Sequence, residues 1–180
     1  MIPAVLLAAI LGKSVPEWPA KPPDRWIQGG PLTLSGLRGK VVLIRFFMDA
    51  DCPYCRGTAP SLNELQEEFA SRGLVVIGMY TPKPRPRSVT IDEVRGYVKS
   101  YGFKFPVAID ADWSALNELW LDRAPGAKFT SSSLLIDRGG ILRHVHEGGT
   151  FAKDADDRIQ TAHDVKLQLA WIAAPSSTSG

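Results

Sequence analysis

The two cysteines of this 180-residue chain sit three positions apart, in Cys52-Pro53-Tyr54-Cys55. Two thiols so placed can take up and give back an electron pair by closing and opening a ring. The attacking sulfur must be a thiolate near neutral pH, so its surroundings have to favour the anion. A helix beginning at Cys52 would do so, because unpaired backbone N–H groups and the positive dipole end would face the sulfur. Cys55, one turn further in, is placed to close the ring. Pro53 suits a first turn, where its missing N–H costs nothing. Cys52 is therefore read as the nucleophile and Cys55 as the resolving thiol, with Pro53 and Tyr54 as the motif and helix start. The alternatives are half of a metal site or a structural disulfide. With no second cysteine pair, a four-cysteine zinc site is excluded.

The flanking pattern supplies those elements. Val41 to Met48 is an apolar run that reads as a buried strand, Asp49-Ala50-Asp51 is a short link, and a helical pattern follows the dithiol to about Ser71. Leu62, Leu65 and Phe69 have core spacing, Pro60 kinks the helix and Arg72-Gly73 ends it. Leu74 to Tyr80 reads as a second buried strand, which makes a parallel crossover. Parallel neighbours end on one edge of the sheet, so the loop Thr81 to Arg87 should leave near the dithiol. Its Lys83, Arg85 and Arg87 either raise the potential there or form a solvated loop.

Elsewhere, Val15 to Pro31 reads as an extended lead-in and Leu32 to Leu34 as a short edge strand. Thr90-Ile91-Asp92-Glu93 is a capping box opening a helix to about Ser100, with Gly102 after it. Phe105 to Ile109 reads as a strand, and Asp112 to Leu121 as a helix whose Trp113 and Trp120 serve packing. Ser133 to Asp137, the turn Arg138-Gly139-Gly140, and Ile141 to His146 form a hairpin. Asp154 to Ile172 reads as a closing amphipathic helix carrying a surface His163.

Composition is that of an ordinary globular domain, with 44% apolar and 22% charged residues. A net charge of +2 with no basic helical face gives no case for nucleic acid. Residues 1–11 form an apolar segment too short to span a bilayer; it is read as a truncated export signal or a stub. Export would suit a chain with a single cysteine pair, and cytoplasmic residence is the alternative.

Several segments together resemble thioredoxin-fold proteins of the TlpA/ResA type, in the AhpC/TSA redoxin superfamily. They are Gly12 to Glu17, Leu37 to Leu43, Cys52 to Cys55 with Ala59-Pro60, Gly73 to Gly78, Tyr101 to Val107 and Leu134 to Gly140. The resemblance implies an α/β thioredoxin-like fold: a mixed sheet of about four or five strands flanked by helices. It also implies a TlpA-type insertion (Tyr80 to Phe105) and a C-terminal hairpin plus helix. Residues 12–173 would be that domain and 174–180 a disordered tail. The implied activity is thiol–disulfide exchange with protein thiols and disulfides, fed by an upstream electron donor. It would be carried out by a monomer with no cofactor beyond the Cys52–Cys55 pair.

The chain departs from that pattern at the site. Family members carry Trp before the first cysteine, where this chain has Asp51, whose charge opposes ionisation. Thr58 stands where ResA-type proteins often have Glu. Thioredoxin's buried carboxylate, six residues before the nucleophile, becomes Phe46. The base is thus unassigned, with Asp49 and Asp51 as candidates or simply an exposed link. The cis-proline facing the dithiol becomes Ser131 after Thr130, and that bond is expected to be trans.

Two other readings stand beside exchange. A peroxiredoxin-like thiol peroxidase needs Thr three residues before its cysteine, where Asp49 sits, and has Pro where Arg45 lies. A non-catalytic metal- or cluster-binding module would draw on Ser131 and on His144 and His146, which share a strand face.

Overall fold

The computed structural model describes residues 9–49, 51–127 and 129–148. Residues 1–8, the expected closing helix with His163, and the tail fall outside the described residues. The described residues form six strands: β1 is Trp26–Gln28, β2 Val41–Phe47, β3 Leu74–Tyr80, β4 Val107–Ile109, β5 Ser132–Ile136 and β6 Leu142–Glu147. The helices are α1 (Pro53–Phe69), α2 (Ile91–Tyr101) and a short α3 (Ser114–Leu116) that runs into a π-helical turn, Asn117–Leu121. The strands lie in one sheet in the order β1-β4-β3-β2-β5-β6. β2 pairs in parallel with β3 and antiparallel with β5, β3 is parallel to β4, and β1 and β6 close the edges antiparallel.

β2 is buried at every residue because both faces of the sheet are covered, which its unbroken apolar run requires. Strand alternation divides its side chains. Val41, Leu43 and Phe47 pack with Cys55, Ala59, Leu62, Leu65 and Phe69 of α1 and with Val94, Val98 and Tyr101 of α2. Val42, Ile44 and Phe46 face the opposite layer, with Ile10, Val15, Trp18, Leu116 and Trp120. The dithiol helix therefore lies on the same face as α2. The lead-in and α3 lie on the other.

α1 ends as its sequence predicts. A 3-10 turn, Ala70–Arg72, leads to Gly73 at φ +101°, the left-handed region that favours glycine. Thr90 caps α2, its hydroxyl accepting the Glu93 N–H at 3.2 Å. Four expectations change. Leu32 to Leu34 is not a strand: the Glu17 carboxylate takes the N–H groups of Leu34 (2.6 Å) and Ser35 (2.7 Å), and a 3-10 turn (Ser35–Leu37) follows. The edge strand is Trp26–Gln28 instead, which gives six strands. β4 starts at Val107 rather than Phe105. The helix expected from Asp112 is broken at its start by Trp113 (φ +61°), and the N–H groups of Ala115 and Leu116 are taken by the buried Asp110.

Candidate functional site

The dithiol is built by the way α1 begins. Cys52, at φ −81° and ψ 102°, is the N-cap, and its Sγ accepts the Cys55 N–H at 3.2 Å. Pro53 occupies the first helical position and leaves no donor unused. The cap thus aims the start of a 17-residue helix at the sulfur, where dipole and N–H groups favour negative charge. Cys52 and Cys55 are joined as a disulfide, with Cα atoms 5.3 Å apart. Their exposures differ: Cys52 is part-exposed, whereas Cys55 is 1% exposed in the core beneath α1.

A polar clamp holds the link ahead of Cys52. Tyr80, at the end of β3, donates its hydroxyl to Asp49 Oδ1, and Arg87 Nη2 lies 3.5 Å from Asp49 Oδ2. The same guanidinium donates to Glu93 Oε1 (2.7 Å) and to the Tyr80 oxygen (3.3 Å), and Tyr97 donates to Glu93 Oε1 at 3.0 Å. Tyr101 of α2 donates to the carbonyls of Met48 (3.1 Å) and Asp49. Burial pushes the Tyr101 phenol up to about 12. Tyr80 is pushed up by burial and then by its bond to Asp49. The bond to Arg87 holds Glu93 below the usual carboxylate range, and the Glu93 bond raises Arg87 in turn.

Asp49 is therefore not simply an exposed link, because both its carboxylate oxygens are engaged. Asp51 is exposed. The basic loop does leave beside the dithiol, with Thr81 N–H bonded to the Phe47 carbonyl at 2.8 Å. Of its three basic residues, Arg87 reaches the link, while Lys83 and Arg85 point into solvent.

Beneath the dithiol helix the sequence count misplaced one residue. Phe46 packs on the far face, with Ile44 and Met79. The inward place falls to Arg45, between Leu43 and Phe47 on the α1 side. Arg45 is 1% exposed and donates to Ser133 Oγ (3.1 Å) and Ser131 Oγ (2.8 Å); its Nε has no hydrogen-bond partner among the described residues. Burial pulls its guanidinium down to about 10. The signal that could have found it is the pleat: Leu43, Arg45 and Phe47 share parity, whatever the length of the link. Ser131 thus presents a hydroxyl that Arg45 holds, and the Thr130–Ser131 bond is trans, the cis bonds among the described residues being Gly30–Pro31 and Lys83–Pro84.

The family model for Redoxin matches residues 23–159, most of the chain. The chain belongs to the Redoxin family. This redoxin is 29% identical to Protein DipZ of Mycobacterium bovis over 150 residues, which cover 83% of the chain and 20% of DipZ. It is 27% identical over 123 residues to the thiol-disulfide oxidoreductase ResA of Halalkalibacterium halodurans, covering 68% of the chain and 62% of ResA. The chain thus spans a fifth of DipZ and about three-fifths of ResA. A thiol:disulfide interchange protein of the thioredoxin family from Chlorobium tepidum has the same fold: TM-score 0.64 at 22% identity, covering 88% of this chain and 97% of that one. The fold is thioredoxin-like.

The remaining residues singled out from the sequence lie as follows. Thr58 is buried within α1. His144 and His146 are part-buried on β6, opposite Leu135 and Ser133, on one strand face as their spacing predicts. Among the described residues no group of three or more His, Cys, Asp and Glu gathers as a metal-holding set. Phe129, next to Thr130, is the large apolar side chain left exposed among the described residues, at 40%. A groove of about 590 Å³ is lined by Lys21, Arg25, Arg87 and Val89, among others. No helix among the described residues is long and apolar enough to cross a membrane.

Proposed function

We propose that this redoxin is a thiol–disulfide oxidoreductase acting on protein partners through Cys52 and Cys55. The observation that carries the reading is the unequal exposure of two sulfurs at one helix start, one reachable and capping the helix, the other buried one turn behind it. In the reducing direction the Cys52 thiolate attacks a partner disulfide, and the partner's leaving sulfur departs with the electron pair and takes a proton. Cys55, deprotonated, then attacks Cys52 Sγ. The Cys52–partner bond breaks, the second partner sulfur takes a proton, and the Cys52–Cys55 disulfide remains. An upstream dithiol donor reverses the last state, and no bound cofactor enters the cycle. A part-exposed Cys52 at the helix start, with its partner buried behind it, supports a protein disulfide as substrate. We infer an extracytoplasmic setting, supported by a composition whose cysteines are confined to this one pair.

The test is reduction of insulin disulfides by dithiothreitol with the protein as catalyst, run beside consumption of hydrogen peroxide. Catalysed insulin reduction, lost in Cys52→Ser, together with a trapped mixed disulfide in Cys55→Ser, is the expected result. Peroxide turnover without insulin reduction would establish the peroxidase reading instead.

A further inference from the structure

Two charged side chains are fully buried among the described residues, and they are treated differently. Asp110 is paired with Lys21 at 2.6 Å and caps α3. Among the described residues Arg45 has two serine hydroxyls, an Nε without a partner and no carboxylate in contact. A guanidinium buried without an anion is costly, because hydroxyl dipoles replace only part of its hydration. It lies between Leu43 and Phe47 in the layer that also holds Cys55. Among the described residues no carboxylate is buried in that layer. Reduction supplies a group that can become an anion, the Cys55 thiol, whose burial disfavours ionisation unless a cation faces it.

We propose that Arg45 is a positioning residue for the dithiol: its buried charge stabilises the Cys55 thiolate, and so makes the Cys52–Cys55 disulfide a stronger oxidant and the resolving attack easier. The inference rests on the exchange reading above. The other charged and titratable groups around the pair are Asp49 and Asp51 in the link, Arg56 on α1, Tyr80 on β3 and Arg87 in the loop. Glu93, Tyr97 and Tyr101 stand on α2, and His144, His146 and Glu147 on β6. Asp49, Arg87 and Glu93 are paired with one another, while Asp51 and Arg56 are exposed and screened by solvent. Arg45 acts from inside the low-dielectric layer, where the same charge has a longer reach. Ser131, just before β5, accepts from the guanidinium at 2.8 Å, so its hydroxyl serves that buried charge.

The experiment is equilibration of the full chain with reduced and oxidised glutathione, for wild type, Arg45→Met and Arg45→Lys, with thiolate absorbance followed against pH. In Arg45→Met the equilibrium should move about tenfold toward the disulfide, which is about 30 mV lower in potential. Its thiolate titration should move to higher pH. Arg45→Lys should stay within threefold of wild type. A change under threefold in Arg45→Met, or an Arg45→Lys that behaves like Arg45→Met, overturns the proposal. If Arg45→Met does not fold, Arg45→Gln, which keeps amide donors for the serines, is the neutral variant measured, on the same criteria. Glutathione needs no partner protein, so a responsive wild type with unresponsive variants rejects this inference alone. A pair that never reacts with glutathione rejects the exchange reading as well.

Discussion

Two arginines bracket the dithiol, and their surroundings are opposites. Arg87 is 37% exposed and touches two carboxylates, Glu93 and Asp49, and these contacts raise its hold on the proton. Arg45 is sealed in the core with serine hydroxyls for company, and burial lowers its hold. Pairing is thus richest where water would have served, and poorest where it was needed. A charge kept under such conditions is a poor contributor to stability. The comparison teaches that Arg87 belongs to the scaffold of the link, whereas Arg45 is retained at a cost to the fold.

Stability measurements can break that contrast. The largest effect should come from Arg45→Met in the oxidised protein. Replacing an uncompensated buried cation by an apolar side chain should raise the unfolding free energy by about 1–4 kcal/mol in urea titrations. A loss of stability would show that the serine contacts already satisfy Arg45 and would erase the difference between the two cations. The clamp should behave in the opposite sense. The folded Tyr101 phenol holds its proton more tightly than the unfolded one, from the ordinary 10 up to about 12. Its stabilisation is therefore complete below pH 10 and lost as pH rises to about 12, by about 2 kcal/mol. Thermal unfolding of wild type against Tyr101→Phe over that range should show the slope in the first and a flatter line in the second. Tyr80→Phe removes one hydroxyl from the Asp49 carboxylate and should cost about 1.5 kcal/mol at neutral pH. Arg87→Met should give the smallest change, a slight destabilisation that fades in high salt because that ion pair is part-exposed.

The same contrast marks what could be read from the chain alone. β2, α1, β3 and α2 were legible because each carries a local signal: an unbroken apolar run, a capping residue, a glycine stop. Their ends fall where Thr90, Gly73 and Gly102 put them. Leu32 to Leu34 misled because its apolar residues plug the core while the N–H groups at Leu34 and Ser35 are claimed by Glu17, seventeen and eighteen positions earlier. Lys21 and Asp110, 89 positions apart, carry no local pattern that announces their pairing. At the site, Cys52 and Cys55 were found by spacing, which is a property of one helical turn. Arg45 was missed because its place was counted along the link rather than across the pleat. The clamp on Asp49 was out of reach for a further reason: it gathers residues from β3, a loop and α2, none of them adjacent in sequence to Cys52.

The sulfur that would react is also the group that closes the first turn of α1, through the Cys55 amide. Adduct formation at Cys52 therefore competes with a structural duty, and each attack should leave that amide briefly without its acceptor. Hydrogen exchange at this one backbone position would then follow the redox cycle turn by turn, a gauge written into the chain that needs no dye. The slackened end would also give the second thiol the small freedom it needs to reach back toward its neighbour.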